Sequence, residues 1–405
     1  MADRRRWTIL AVGTLAQAAA CSFVYGIPML LPAFNNAGIG LFSASLLVDA
    51  PTVGLLLALY AWGAVADGRG ERLVIVVGVA AAAIALVAAA AVPALWLTGV
   101  LLGIAGAGGA SAFSAGWTAS ASGRLVMGWF PAKERGLAMG TRQTAQPIGV
   151  AIAALVLPPV AHHGGIGWAL LVLAAMCAAA AAAVFLLASD PPRPAVSEQT
   201  APVSSPYRGS RMLVRIHIAS SLLVVPQMAM SVFTLVYLVG QRGWDPSAAG
   251  RLIFVFQFVG AAGRVGCGIW TDRVGSRLRP MRQLAVMSAV LMLCLALGAA
   301  THAGWIVVVF GLSAVVTVAD NGMAFTSVAE LAGRDWSGRA LGAHNTVQNL
   351  AVVATPPVLA TVIDHASYGL AFALVAVPPL IAVVVTPVTA ERHRVSEASS
   401  GSPNL

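Results

Sequence analysis

The chain is 405 residues long, 59% hydrophobic and only 10% charged, far below the quarter of charged residues usual in soluble domains. A water-exposed globule with so few charges is excluded, so lipid must be its main solvent. The net charge of +9 would suit a nucleic-acid partner in a soluble protein. Here, however, the basic residues gather in short loops at one end of long apolar runs, which is a membrane-topology signal.

A membrane-spanning helix needs about 20 apolar residues. Punctuation by Pro, Gly and charge gives twelve such runs. The first six cover approximately 8–33, 45–66, 73–92, 95–122, 136–159 and 166–188. Arg4-Arg5-Arg6 and Ala18-Ala19-Ala20-Cys21 imitate a leader with a cleavage site, but the apolar run continues to about Phe34 and reads as a retained helix. Residues 189–211, which include Asp190-Pro191-Pro192-Arg193-Pro194, form a Pro/Ser-rich linker with nothing to bury. The second six runs cover approximately 212–239, 248–270, 282–300, 304–330, 339–362 and 367–389, and residues 391–405 read as a disordered tail.

Of the 24 Lys/Arg residues, 20 fall on one side of these runs. Only Arg242 and Arg251 lie opposite, while Arg142 and Arg264 sit within apolar runs. The expected topology is therefore a multi-pass cell-membrane protein with the linker and both termini cytoplasmic. Cys21, Cys177, Cys267 and Cys294 lie in or beside apolar runs without metal-like spacing, and read as packing residues.

A loop recurs half a chain apart. Gly63-Ala-Val-Ala-Asp67-Gly-Arg69-Gly70-Glu71-Arg72 is matched 205 positions later by Gly268-Ile-Trp-Thr-Asp272-Arg273-Val-Gly275-Ser-Arg277. Gly63 and Gly268 would let a neighbouring helix approach closely. Asp67 and Asp272 can meet an Arg or a helix N-terminus, Gly70 and Gly275 permit a tight turn, and Arg72 and Arg277 are available partners. Gly140-Thr-Arg142-Gln143-Thr144-Ala-Gln146 likewise parallels Gly342-Ala-His344-Asn345-Thr346-Val-Gln348, and Pro158-Pro159 parallels Pro356-Pro357. Six spans repeated as six in the same orientation imply a two-fold axis along the membrane normal.

Twelve spans, a 6+6 repeat, a central linker and two copies of Gly-x-x-x-Asp-x-x-Gly-x-Arg resemble the major facilitator superfamily of secondary transporters. The resemblance covers nearly the whole chain. It implies an all-α membrane protein of two pseudo-symmetric six-helix bundles, residues 1–188 and 212–390, working by alternating access. It also implies that the repeated loops latch the cytoplasmic side. The alternative for these loops is simple topology determination.

The resemblance further implies that the first, fourth, seventh and tenth helices line the cavity. The first carries Gln17, Cys21 and Tyr25, and the fourth Ser111, Ser114 and Thr118. On the seventh lie His217, Ser220, Gln227, Ser231 and Thr234; on the tenth, Ser313, Thr317, Asp320 and Ser327. Individually such residues also serve helix packing. Asp320, near the middle of its helix, reads as a proton-coupling carboxylate, a ligand for a substrate cation, or a structural partner of Asn321 or an Arg. Arg142 and Gln146 on the fifth helix, with His344 and Gln348 on the eleventh, could receive an anion or hold an inner gate. Arg264 reads first as a structural charge, and Glu330 as a member of the latch network.

Trp129-Phe130-Pro131-Ala-Lys133-Glu134-Arg135-Gly136 resembles a segment of the family's anion-transporting branches. The nitrate porters' second-helix Arg is missing. The drug/proton antiporters' Gly-Pro-rich fifth helix is also missing: Gln146-Pro147-Ile148-Gly149 stands there. No phosphate-binding Gly-Lys-Ser/Thr loop is present, which excludes primary ATP-driven transport by this chain alone. The expectation is a non-enzymatic, proton-coupled carrier of a small organic or inorganic anion. It would act as a monomer in the bilayer, with substrate and protons as partners and with no cofactor, metal or nucleic acid. Drug/proton antiport and a non-transporting receptor are the alternatives.

Overall fold

The computed structural model describes residues 2–117, 144–189, 205–208 and 211–389. Among the described residues there are no strands, and twelve helices are long and apolar enough to cross a membrane. In the first half these are α1 (Ala2–Val24), α2 (Leu41–Arg69), α3 (Glu71–Ala91), α4 (Leu95–Trp117), α5 (Ala145–Gly164) and α6 (Ile166–Leu187). In the second they are α7 (Met212–Val236), α8 (Pro246–Val274), α9 (Leu278–Ala300), α10 (Ile306–Gly333), α11 (Arg339–His365) and α12 (Tyr368–Val385).

Two spans depart from the sequence expectation. The first run, expected as one helix to about residue 33, stops at Val24 and continues as a 3₁₀ turn (Ile27–Leu30) and a short helix (Leu31–Asn36). Pro28 and Pro32 supply no backbone N–H there, and Gly26 is pressed against α5, where an added Cβ would lie 2.3 Å from Ala153 Cβ. The last run is interrupted at Ala376, just ahead of Pro378-Pro379. Such breaks are tolerated in a membrane only where protein covers the freed backbone groups.

The chain divides into two compact units. One holds residues 1–200, 231–258 and 356–364; the other holds 201–230, 259–355 and 365–405. The inclusion of 231–258 in the first unit has a local cause. Gly250 at the start of α8 lies so close to α5 that a Cβ would meet the Ala154 carbonyl oxygen at 2.2 Å.

Within lipid, helices gain little from hiding apolar surface, so close backbone packing must hold them together. In the first unit α2 and α4 meet through glycines: a Cβ on Gly54 would lie 1.8 Å from the Gly103 carbonyl oxygen, and one on Gly106 1.9 Å from that of Pro51. In the second unit α8 meets α10 the same way, with Gly260 against the Ala314 carbonyl and Gly263 against Val315. At the basic-loop ends of the second unit, Leu213, Ile216, Met281, Ala324, Val328, Ala340 and Ala382 form one buried cluster, with Tyr207 packed at its edge.

Candidate functional site

Asp320 is buried near the middle of α10, with Oδ2 accepting no hydrogen bond. The close α8–α10 packing brings the guanidinium of Arg264 near enough to interact electrostatically with it, and Cys267 lies in the same field. Arg264 Nε is also buried without a hydrogen-bond partner. The two intramembrane charges noted separately in the sequence are therefore one neighbourhood. Each offsets part of the other's cost of leaving water.

Asp320 belongs to a longer stripe. Ser313, Asp320 and Ser327 recur every seven residues, which places them on one helix face. All three are buried, and each has a side-chain oxygen without a hydrogen-bond partner. Thr317, between them, instead bonds its hydroxyl to the Ser313 carbonyl at 2.7 Å.

A second polar group joins α7 and α11. Nδ1 of His344 lies 2.9 Å from Nδ1 of His217, and Nε2 of His217 lies 3.0 Å from the Tyr207 hydroxyl. Phe325 of α10 meets the His344 ring edge-on, centroids 4.8 Å apart. One turn along α11, Gln348 donates to Ser220 Oγ at 2.6 Å, and Asn349 donates to Asn345 Oδ1 at 2.8 Å. His344 and Gln348 thus face α7 within their own unit. Arg142, their sequence counterpart, lies outside the described residues.

Both repeated loops turn through glycines at positive φ, +93° at Gly70 and +63° at Gly275, a region that side chains with a Cβ resist. Arg277 donates to Thr271 Oγ1 at 3.0 Å and lies 3.6 Å from Glu330 on α10. Arg72 donates to the Phe185 carbonyl at the end of α6 and stacks over its ring. The side chains of Asp67 and Asp272, like the environments of Gly63 and Gly268, lie outside the described residues.

In the first unit Gln17 is buried with Oε1 unbonded, and Gln146 is half-buried in the first turn of α5. Gln227 of α7 is half-buried in the second unit. Sequence reasoning passed over Asp49. This residue is the one acid among the described α2 residues Leu41–Leu59, is buried, and has Oδ2 unbonded. A count of charges inside apolar runs would have found it. Tyr207 was missed because its partner is met only through space.

The sequence model of the Major Facilitator Superfamily matches residues 10–356. The chain belongs to the major facilitator superfamily. Among its superfamily relatives, the "Uncharacterized MFS-type transporter Rv2994" of Mycobacterium tuberculosis is 44% identical over 387 residues, covering 95% of this chain and 85% of the relative. A more distant one, the "Probable galactarate/D-glucarate transporter GudP" of Bacillus subtilis, is 23% identical over 273 residues, 60% of each chain. The superfamily fold is shared with two solved structures. A bacterial homolog of the human lysosomal transporter Spinster aligns with TM-score 0.76 at 14% identity, covering 94% of this chain and 96% of that one. A D-xylose–proton symporter aligns with TM-score 0.73 at 17% identity, covering 95% and 97%. The protein is a multi-pass membrane transporter of this superfamily.

Proposed function

We propose that this transporter carries a small organic anion together with a proton across the cell membrane by alternating access, with both termini cytoplasmic. The pairing of Asp320 with Arg264 at mid-membrane depth carries this reading. An ionised Asp320 is the local counter-charge of Arg264. When Asp320 takes up a proton, Arg264 is left without that counter-charge, and a substrate carboxylate, which guanidinium can bind by two parallel hydrogen bonds, can replace it. Proton and anion then enter the low-dielectric interior together, and neither crosses as a bare charge. The unbonded oxygens of Ser313 and Ser327 extend the same face toward both ends of α10. Buried polar atoms without partners cost about 1–3 kcal/mol each, a cost that makes sense on a surface visited by a polar substrate. The name of a relative, "Probable galactarate/D-glucarate transporter GudP", supports a carboxylate-bearing substrate.

The repeated loops serve as the latch of this cycle on the cytoplasmic side, with Arg277 engaging Glu330 in the second unit and Arg72 holding the end of α6 in the first.

The test is uptake of a panel of labelled carboxylates by purified transporter in liposomes under an imposed pH gradient, with a cationic drug as the competing class. The expected result is gradient-driven carboxylate accumulation in the wild type. In Asp320→Asn, accumulation is lost while substrate exchange persists. Gradient-driven drug flux with no carboxylate flux would overturn the anion reading. Flux of nothing, with a ligand still bound, would point to a receptor.

A further inference from the structure

We propose that Tyr207, His217 and His344 form a proton relay between the basic-loop surface of the second unit and its interior. This deepens the proton-coupled reading above and rests on it.

Two ring nitrogens 2.9 Å apart form a hydrogen bond only if one carries a hydrogen and the other does not. The chain therefore has two complementary states. In one, His217 Nδ1–H donates to His344 Nδ1, the Tyr207 hydroxyl donates to His217 Nε2, and His344 carries its hydrogen on Nε2. In the other, His344 Nδ1–H donates to His217 Nδ1, His217 Nε2–H donates to the Tyr207 oxygen, and His344 Nε2 is bare.

The second state converts to the first by four proton movements. A proton binds His344 Nε2, the Nδ1 proton of His344 passes to His217 Nδ1, and the Nε2 proton of His217 passes to the Tyr207 oxygen. In the same step Tyr207 releases its own hydroxyl proton to water, so its oxygen never carries two. One proton enters, one leaves, and every residue ends neutral. The reverse sequence carries a proton inward.

Three observations favour a relay over a static hydrogen bond. His344 is fully buried, yet its Nε2 has no hydrogen-bond partner, so the inner terminus stands ready to give or accept a proton. Tyr207 is half-buried, ahead of α7 and outside the membrane-spanning segments, so the outer terminus reaches the surface. Burial also raises the Tyr207 phenol above its ordinary range, which keeps it the neutral hydroxyl that a relay needs.

The described charged groups on the surrounding elements are turned elsewhere. Arg215 of α7 donates to the carbonyls of Val384 and Val385, Arg277 engages Glu330, and Arg339 of α11 stacks on Trp336. Arg208, Arg211, Arg279 and Arg282 are exposed, and Asp320 faces Arg264 farther along α10. No described carboxylate fixes either imidazole in its charged form.

The test needs no substrate. Purified protein is jumped from alkaline to mildly acidic pH, and proton uptake is followed with a soluble indicator dye by stopped flow. The relay itself retains no proton, so the phase to read is uptake by the interior groups it feeds, and His344→Gln should slow that phase roughly tenfold or more. Tyr207→Phe, which removes a single surface-side hydroxyl, should keep the amplitude of that phase but slow it roughly tenfold or more, the scale of a lost positioned proton-transfer group. An unchanged rate in Tyr207→Phe overturns the relay and leaves a structural hydrogen bond. If His344→Gln does not fold, slowing of the same phase in His217→Gln decides in its place, and an unchanged rate overturns the relay. Transport in the same variants separates this proposal from the reading beneath it. Slowed phases in the variants, with a wild type that lacks gradient-driven uptake, would keep the relay and remove proton-coupled transport.

Discussion

Asp320 and Arg264 are each costly alone and tolerable together, because removing one partner of a buried pair leaves the other charge uncompensated. Arg264→Gln should therefore lower stability by about 0.5–3 kcal/mol, the range for coupled neighbouring residues. The double change Arg264→Gln/Asp320→Asn should recover most of it. Thermal unfolding of the four proteins in detergent checks this, and a double variant no more stable than Arg264→Gln would show that the two do not share charge. The sequence made each residue conspicuous, since a charge inside an apolar run stands out. It did not make the pair legible, because Arg264 and Asp320 are 56 positions apart and meet only through the glycine-lined contact of α8 with α10. His344 illustrates the same limit: its ring meets His217, a contact that no sequence parallel points to, while its sequence counterpart Arg142 lies outside the described residues.

At the level of helices, fit between backbones decides stability. A Cβ on Gly106 would lie 1.9 Å from the Pro51 carbonyl oxygen, a separation no side-chain rotation relieves. Gly106→Val should force α2 and α4 apart and leave little monodisperse protein in size-exclusion chromatography. Gly322→Ala on α10, with open space around it, should be neutral or slightly stabilising by helix propensity. Equal yields from the two would refute close α2–α4 packing. The latch calls for the opposite contrast. Arg277 and Glu330 are partly exposed, and such pairs contribute at most about 1 kcal/mol. Arg277→Ala should barely move the melting temperature yet change transport turnover, and a variant unaltered in both would remove the latch role. These loops were readable in advance because Gly70 and Gly275 punctuate long apolar runs. The break after Val24 was not, since Pro28 and Pro32 lie within a stretch apolar enough to pass for one helix.

For the whole molecule, lipid solvation makes composition and charge placement informative. Span number follows from where apolar runs stop, the expectation of sidedness rests on where arginines collect, and the repeated loop supplies the duplication. Substrate choice follows from none of these, because it depends on a few polar atoms meeting in a low-dielectric interior. The central claim, that one proton on Asp320 accompanies one anion on Arg264, has a thermodynamic consequence. A pH unit corresponds to about 1.4 kcal/mol, so electroneutral one-to-one coupling permits about tenfold accumulation per unit of gradient. The decisive measurement is steady-state accumulation of a labelled monocarboxylate substrate in proteoliposomes against imposed pH gradients, for the wild type and Asp320→Asn. The account predicts accumulation that rises with the gradient in the wild type and stays at equilibrium in the variant. Gradient-driven accumulation of equal size in both would contradict it.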